Sequence, residues 1–202
     1  MTIIDKEPVN NRMVTRIKNL LYTPEAEWTV IEAEPATVSG LYKTYVCILA
    51  AIGPVAQLVG SQIFGSHMFF VFYRPPFLQA VVQAIISYLL SLAGVWLMAM
   101  IIDALAPSFG GTKNRLQAFK LAAYFPTAAW IAAVFQLVPQ VAALSIIGVY
   151  SLYLLYVGLP KLMKAPKDKA LVYTIVTIVC AVVVFAVINA VSSSVGMGGG
   201  VY

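Results

Sequence analysis

The sequence predicts an all-α membrane protein: five transmembrane helices in one bundle, preceded by an amphipathic helical region. Three observations predict it. Five long apolar stretches are each of a length to cross a bilayer. Charge is scarce, at 10% of 202 residues, where a soluble domain carries about a quarter. Twelve of the thirteen basic residues also fall on one side of the five spans. A hydrophobic share of 61% and a mean hydropathy of +0.87 agree that lipid is the solvent.

The expected organisation is an N-terminal helical region, 1–40, a five-helix membrane domain, 41–192, and a short tail, 193–202. The first 40 residues are polar, charged and interrupted by prolines, so no cleavable signal peptide is expected. Within them Met13, Ile17, Leu20 and Leu21 recur at helical spacing, with Arg12, Arg16 and Lys18 elsewhere on the wheel. That pattern predicts a basic amphipathic helix on an anionic inner leaflet. A second helix is expected from Thr23, a capping residue, with Pro24 at its first position and Glu25 and Glu27 in its first turn. Trp28 and Ile31 would anchor its apolar side at the membrane surface, and Pro35 would end it.

The spans are expected over residues 41–64, 76–102, 118–138, 139–159 and 170–192. Gly53-Pro54 and Pro126 should kink the first and third. Only Val138-Pro139-Gln140 separates the third from the fourth, which predicts a tight helical hairpin. Lys6, Arg12, Arg16, Lys18 and Lys43 lie before or at the start of the first span. Lys113, Arg115 and Lys120 follow the second, and Lys161, Lys164, Lys167 and Lys169 the fourth. The other side holds Arg74 and the single His67. Positive-inside reasoning makes the basic side cytoplasmic, with the N-terminus inside and the C-terminus outside. Ser87/Ser91, Ala129/Ala133 and Ala186/Ala190 are small-residue pairs suited to close helix contact, and Cys47 and Cys180 read as small buried residues.

The run from Asn19 to Pro24 with Glu27-Trp28 is followed by Glu34-Pro35 through Gly40-Leu41-Tyr42. Asp103 with Phe109-Gly110-Gly111, Tyr124-Phe125-Pro126, Gly148-Val149-Tyr150 and Gly158-Leu159-Pro160 come after them in order. Together these pieces resemble the Yip domain family of multi-spanning membrane proteins, in its bacterial inner-membrane branch. The resemblance implies five helices with a cytoplasmic N-terminal region, in agreement with the charge count. Eukaryotic relatives are linked to Rab-type GTPases and vesicle traffic; that role does not carry over, and the bacterial branch implies no biochemical activity.

Enzymatic arrangements are absent: Ser/His/Asp, metal-histidine and Cys-x-x-Cys patterns do not occur, and no catalytic residue, metal or cofactor is expected. Asp103, at the inner end of the second span, is the most informative ionisable group. It either holds a proton or cation, or pairs with Lys113, Arg115 or Lys120. Gly110-Gly111 reads as a tight turn, because a phosphate-cradling loop would need a preceding strand. Glu25, Glu27, Glu32 and Glu34 form an acidic cluster that either gathers a divalent cation or is a solvated face near the basic arm.

Two functional readings result. The first is a non-enzymatic scaffold whose cytoplasmic face docks lipid or protein, with a groove between the amphipathic arm and the 109–120 loop. The second is a small transporter or channel, alone or as a homo-oligomer. Its path would be lined by Gln57, Gln83, Gln136 and Asn189 beside the kinks at Pro54 and Pro126. That reading requires a polar cavity reaching the midplane. The lipid bilayer is a partner in both, and nucleic acid in neither.

Overall fold

A computed structural model describes residues 9–68 and 71–197. Lys6 and the last five residues of the expected tail lie outside them. Helix α1, Val9–Tyr22, and helix α2, Pro24–Ala33, form an N-terminal hairpin. Pro24 opens α2 as expected, but the Thr23 hydroxyl donates back to the Asn19 carbonyl and caps nothing.

Five stretches are long and apolar enough to span a membrane: Val38–Phe64, Phe77–Phe109, Arg115–Leu137, Gln140–Met163 and Asp168–Val191. The first begins as α3, Val38–Leu41, with Thr37 accepting from the Gly40 amide. It passes through a π-helical turn at Tyr42–Val46 into α4, Cys47–Leu49. It breaks at Ala50-Ala51 and resumes as α5, Ile52–Phe64. Pro54 has no N–H to give the Ala50 carbonyl, which accounts for a break one turn before it. Gly65, with φ of 73°, ends α5 in a conformation that favours glycine.

A short antiparallel hairpin, β1 Ser66–Met68 and β2 Val71–Tyr73, then leads to the second span. These six residues qualify the all-α expectation without altering the bundle. The second span is the long helix α6, Phe77–Leu105, closed by a 3₁₀ turn at Ala106–Phe109. The third opens as α7, Arg115–Tyr124, capped by Asn114, whose side chain accepts from the Gln117 amide. Pro126 interrupts it, and α8, Thr127–Ala132, continues.

The connection near Pro139 is a hairpin, as expected, but its arms are not α-helical. Ala133–Leu137 and Pro139–Val149 are both 3₁₀, with Val138 extended between them. The narrower helix rises about 2.0 Å per residue, so eleven residues cover about 22 Å instead of about 16 Å. Small residues let these arms pack closely. A side chain on Gly148 would sit 2.9 Å from the Ala129 Cα, and one on Gly60 would sit 2.5 Å from the Leu137 carbonyl oxygen. The fourth span ends in α9, Tyr150–Met163, and the fifth is α10, Lys167–Met197. The helix thus runs into the expected tail.

The N-terminal hairpin packs on one end of the bundle, here called the basic end. Leu20, Trp28 and Ile31 from the hairpin share one core with Tyr45, Ile102, Leu121, Leu155 and Tyr173, one from each of the five spans. Met13, Ile17 and Leu21 pack against that core. The apolar face of α1 therefore covers protein, not lipid, which corrects its assignment to the membrane surface. Helix α10 lies at the edge: Val179, Val182, Val183 and Phe185 are exposed. Ala186 and Ala190, expected at a helix contact, are exposed with them.

Candidate functional site

Helix α2 is held against α9 by a notch. Gly158 has no side chain, and the Trp28 indole occupies that space: a Cβ there would lie 2.6 Å from Trp28 Cε2 and 2.8 Å from Leu121 Cδ1. Trp28 is fully buried, so it is a core residue and not an interfacial anchor. Its ring meets Tyr124 edge-on at 6.5 Å, and Tyr124 meets Tyr45 at 4.6 Å. The Tyr45 hydroxyl lies 2.8 Å from Thr127 Oγ1, which in turn donates to the Tyr124 carbonyl. Tyr45 is therefore the donor of that pair.

Arg16 sits over this aromatic stack, 5.6 Å from the Tyr124 ring centre. Its guanidinium reaches Glu27 Oε1, 2.5 Å away, and Glu34 Oε2. Asn19 donates to the other oxygen of Glu27 at 2.9 Å. Glu27 is 6% exposed, and these two donors offset the loss of water around its charge. Burial alone would lower the Arg16 pKa, but the electrostatic contacts with Tyr124 and the carboxylates of Glu34 and Glu27 outweigh it and hold the guanidinium above its ordinary value. Glu32 pairs with Lys164, and Lys161 donates to the Glu25 carbonyl and to Thr29 Oγ1. Glu27, Glu32 and Glu34 are thus each paired with a cation; Glu27 is buried, while Glu25 and Glu34 are exposed beside the basic residues. Among the described residues, no group of three metal-ligating side chains occurs.

Lys120 carries the least expected geometry. It is 2% exposed, and its ammonium donates to three backbone carbonyls: Ile31 at 2.7 Å, Glu32 at 3.1 Å and Glu34 at 2.7 Å. Gln117 donates to the Glu32 carbonyl as well. These are the open carbonyls at the C-terminal end of α2, where a positive charge also suits the helix dipole. A lysine inside the run Ala118-Phe119-Lys120-Leu121-Ala122 was the sequence signal for such a role, since an ammonium in apolar company must find oxygens.

Beside Lys120 lies a cleft of about 420 Å³. Ile31, Glu34, Thr37, Leu41, Thr44, Lys120 and Tyr124 are on its walls. It separates the end of α2 from the first and third spans, not the arm from the 109–120 loop as expected.

The remaining sequence candidates do not converge on this site. Arg12 and Lys18 are exposed on α1. Phe109 stacks on Tyr173 at 4.9 Å, and Gly110, with φ of 74°, makes the tight turn expected of the Gly-Gly pair. The Thr112 amide then bonds to the Met163 carbonyl, joining the loops that follow the second and fourth spans. Asp103 forms no ion pair with Lys113, Arg115 or Lys120; its Oδ1 is buried without a partner among the described residues, and Arg115 instead reaches the Met100 sulfur. Pro126 breaks the third span beside Thr127. Gln57, Gln136 and Asn189 are exposed on the outside of the bundle, and Gln83 is half-buried. They do not line one interior path.

Fold and site together define a polytopic helical membrane protein whose N-terminal hairpin is built into one end of its bundle. The chain belongs to the Yip1 domain family, whose description matches residues 18–188. It is similar to the inner membrane protein YohC of Escherichia coli K12, with 25% identity over 184 residues, 89% of this chain and 94% of that protein. The corresponding protein of the Escherichia coli O6:H1 strain CFT073 matches to the same extent. No solved structure matches the chain.

Proposed function

We propose that this protein is a non-enzymatic scaffold of the bacterial inner membrane, with its basic end in the cytoplasm as a preassembled docking face. The observation that carries the reading is the way the α1–α2 hairpin is fixed to the bundle. Trp28 fills the Gly158 notch, Arg16 joins two carboxylates, and Lys120 ties the end of α2 to the third span. A free arm would search for lipid; a fixed one presents constant geometry to a partner, so less ordering entropy is lost on docking. The inner-membrane location rests on the relatives named above, and the orientation on the one-sided basic residues.

Transport is the second reading, and one observation favours it: the buried carboxylate oxygen of Asp103, without a partner among the described residues. The outward placement of three of the four amides counts against it.

Two measurements test the proposal. In intact cells a membrane-impermeant maleimide should label a cysteine at Arg74 and leave one at Lys169 unlabelled; the reverse pattern overturns the orientation. In proteoliposomes the wild-type protein should pass protons, potassium and sodium no faster than empty vesicles. Flux that disappears in Asp103→Asn would replace the scaffold with a transporter.

A further inference from the structure

The cleft beside Lys120 is a built site that the docking function above does not require. We infer that it holds the zwitterionic headgroup of an ethanolamine phospholipid taken from the leaflet at the basic end. Four observations point there.

The first is depth. Thr44 lies six residues beyond the start of the first span at Val38, and Lys120 five residues beyond the start of the third at Arg115. At 1.5 Å per residue both stand roughly 8 Å inside the span ends, near the level of phosphates and glycerol oxygens. The second is access. Thr37 and Thr44, which line the cleft, are exposed, and Thr44 lies within the π-helical turn at Tyr42–Val46. Such turns often mark functional sites.

The third is charge of both signs on facing walls. Among the described residues no carboxylate oxygen touches the Lys120 ammonium, whose three protons go to backbone carbonyls; Glu34 and Glu32 act on it from a distance, and part of its field reaches the cleft. The Glu34 carboxylate gives Oε2 to Arg16 and keeps Oε1 unused among the described residues. An anion alone would meet Glu34, and a cation alone would meet Lys120. A phosphate followed two carbons later by a primary ammonium satisfies both.

The fourth is unused hydrogen-bonding capacity. The Tyr124 hydroxyl has no partner among the described residues, and Thr37 Oγ1 accepts from the Gly40 amide while its own proton remains available. Both can donate to phosphate oxygens. Ile31, Pro35, Ala36 and Leu41 supply apolar wall for the glycerol and the first acyl carbons. The volume of about 420 Å³ falls in the range of small-ligand sites.

The test uses the full chain, purified in a mild detergent and stripped of lipid. Equilibrium binding is measured for four probes: short-chain phosphatidylethanolamine, phosphatidylglycerol and phosphatidylcholine, and water-soluble phosphoethanolamine. Phosphatidylethanolamine should bind about tenfold or more tightly than the other three, because only it joins a hydrogen-bonding ammonium to a lipid. Thr44→Trp, at an exposed position on the rim, should abolish that binding by filling the cleft. Tyr124→Phe keeps the ring and its packing and should weaken binding about fivefold, the worth of one hydrogen bond. Glu34→Gln should shift preference toward phosphatidylglycerol. Equal binding of all headgroups, preference for phosphatidylglycerol by the wild type, or phosphoethanolamine binding as tightly as the lipid would each overturn the inference. So would full binding by both Thr44→Trp and Tyr124→Phe, with circular dichroism confirming that each variant is folded.

Discussion

Gly158→Ala is the smallest change that should loosen the N-terminal hairpin. The added methyl carbon would lie 2.6 Å and 2.8 Å from two Trp28 ring carbons and 2.8 Å from Leu121 Cδ1. Carbon atoms rest about 3.5–4.0 Å apart, so the overlap is roughly 1 Å on two sides. The indole has no room to retreat, being fully buried with Tyr124 at its edge. Overpacking of this kind costs about 1–3 kcal/mol, and complete expulsion of the indole about 3–5 kcal/mol. Replacing a helical glycine by alanine returns about 1 kcal/mol of helix propensity. The net expectation is a loss of about 2 kcal/mol, or about 4–8 °C in melting temperature for a chain of this size. Heating of a membrane protein is commonly irreversible, so midpoints should be compared in one detergent at one scan rate. Gly53→Ala is the control, because its methyl would meet only Ala133 Cβ at an ordinary 3.4 Å. Trp28→Leu should absorb the penalty, so that the double variant is no less stable than Trp28→Leu alone. The reasoning fails if Gly158→Ala melts within about 1 °C of wild type, or if the two changes are additive.

Three further outcomes follow from the same contacts. Lys120→Met leaves the Ile31 and Glu34 carbonyls buried without their donor and should lower stability by about 2–4 kcal/mol, read as an earlier thermal midpoint. Arg16→Met and Glu27→Gln should each destabilise, but the pair together by about 1–3 kcal/mol less than their sum, measured by a double-mutant cycle; additivity would show that the ion pair does not form. A chain lacking residues 1–37 should fail to run as a monodisperse species in size-exclusion chromatography, because the Gly158 notch and the Tyr124 ring would lose their cover; a well-behaved truncated bundle would make the hairpin a separate module.

The spans were legible because a bilayer demands length and apolarity that any sequence must display. Their breaks at Pro54 and Pro126 were legible for a similar reason, since proline removes a known donor. The 3₁₀ arms around Val138 were not, because nothing in Ala133–Leu137 or Pro139–Val149 distinguishes them from α-helix by composition; close contacts at Gly60 and Gly148 decide the matter. The site was least legible. The 3.6-residue pattern of Met13, Ile17, Leu20 and Leu21 identifies an apolar face but not what covers it. Lipid and the side of a helical bundle present the same chemistry to that face. The acidic residues misled in the same way: Glu27 reads as solvated until Arg16, eleven residues away, is placed over it.

The position of the hairpin also changes what the spans can be said to lack. No acidic or basic side chain sits near the middle of any span, which argues against an intramembrane ionic site. Yet the Leu21 carbonyl receives the Tyr150 hydroxyl at 3.1 Å, and Tyr150 begins α9, thirteen residues before its end at Met163. That is about 20 Å of helix, but the end it is counted from stands at the headgroups, and Lys161, two residues before that end, donates to the Glu25 carbonyl. The hairpin therefore lies along the inner part of α9, with Tyr22 at its turn exposed, and Arg16, Asn19 and Glu27 sit between it and the spans. Carried on a span and facing lipid, such charges would each cost several kcal/mol. Carried on a hairpin packed on the basic end, they are paired with one another and walled by Tyr45, Tyr124 and Trp28. The polar heart of this membrane protein is thus delivered by the segment that looks, in isolation, most like a soluble arm.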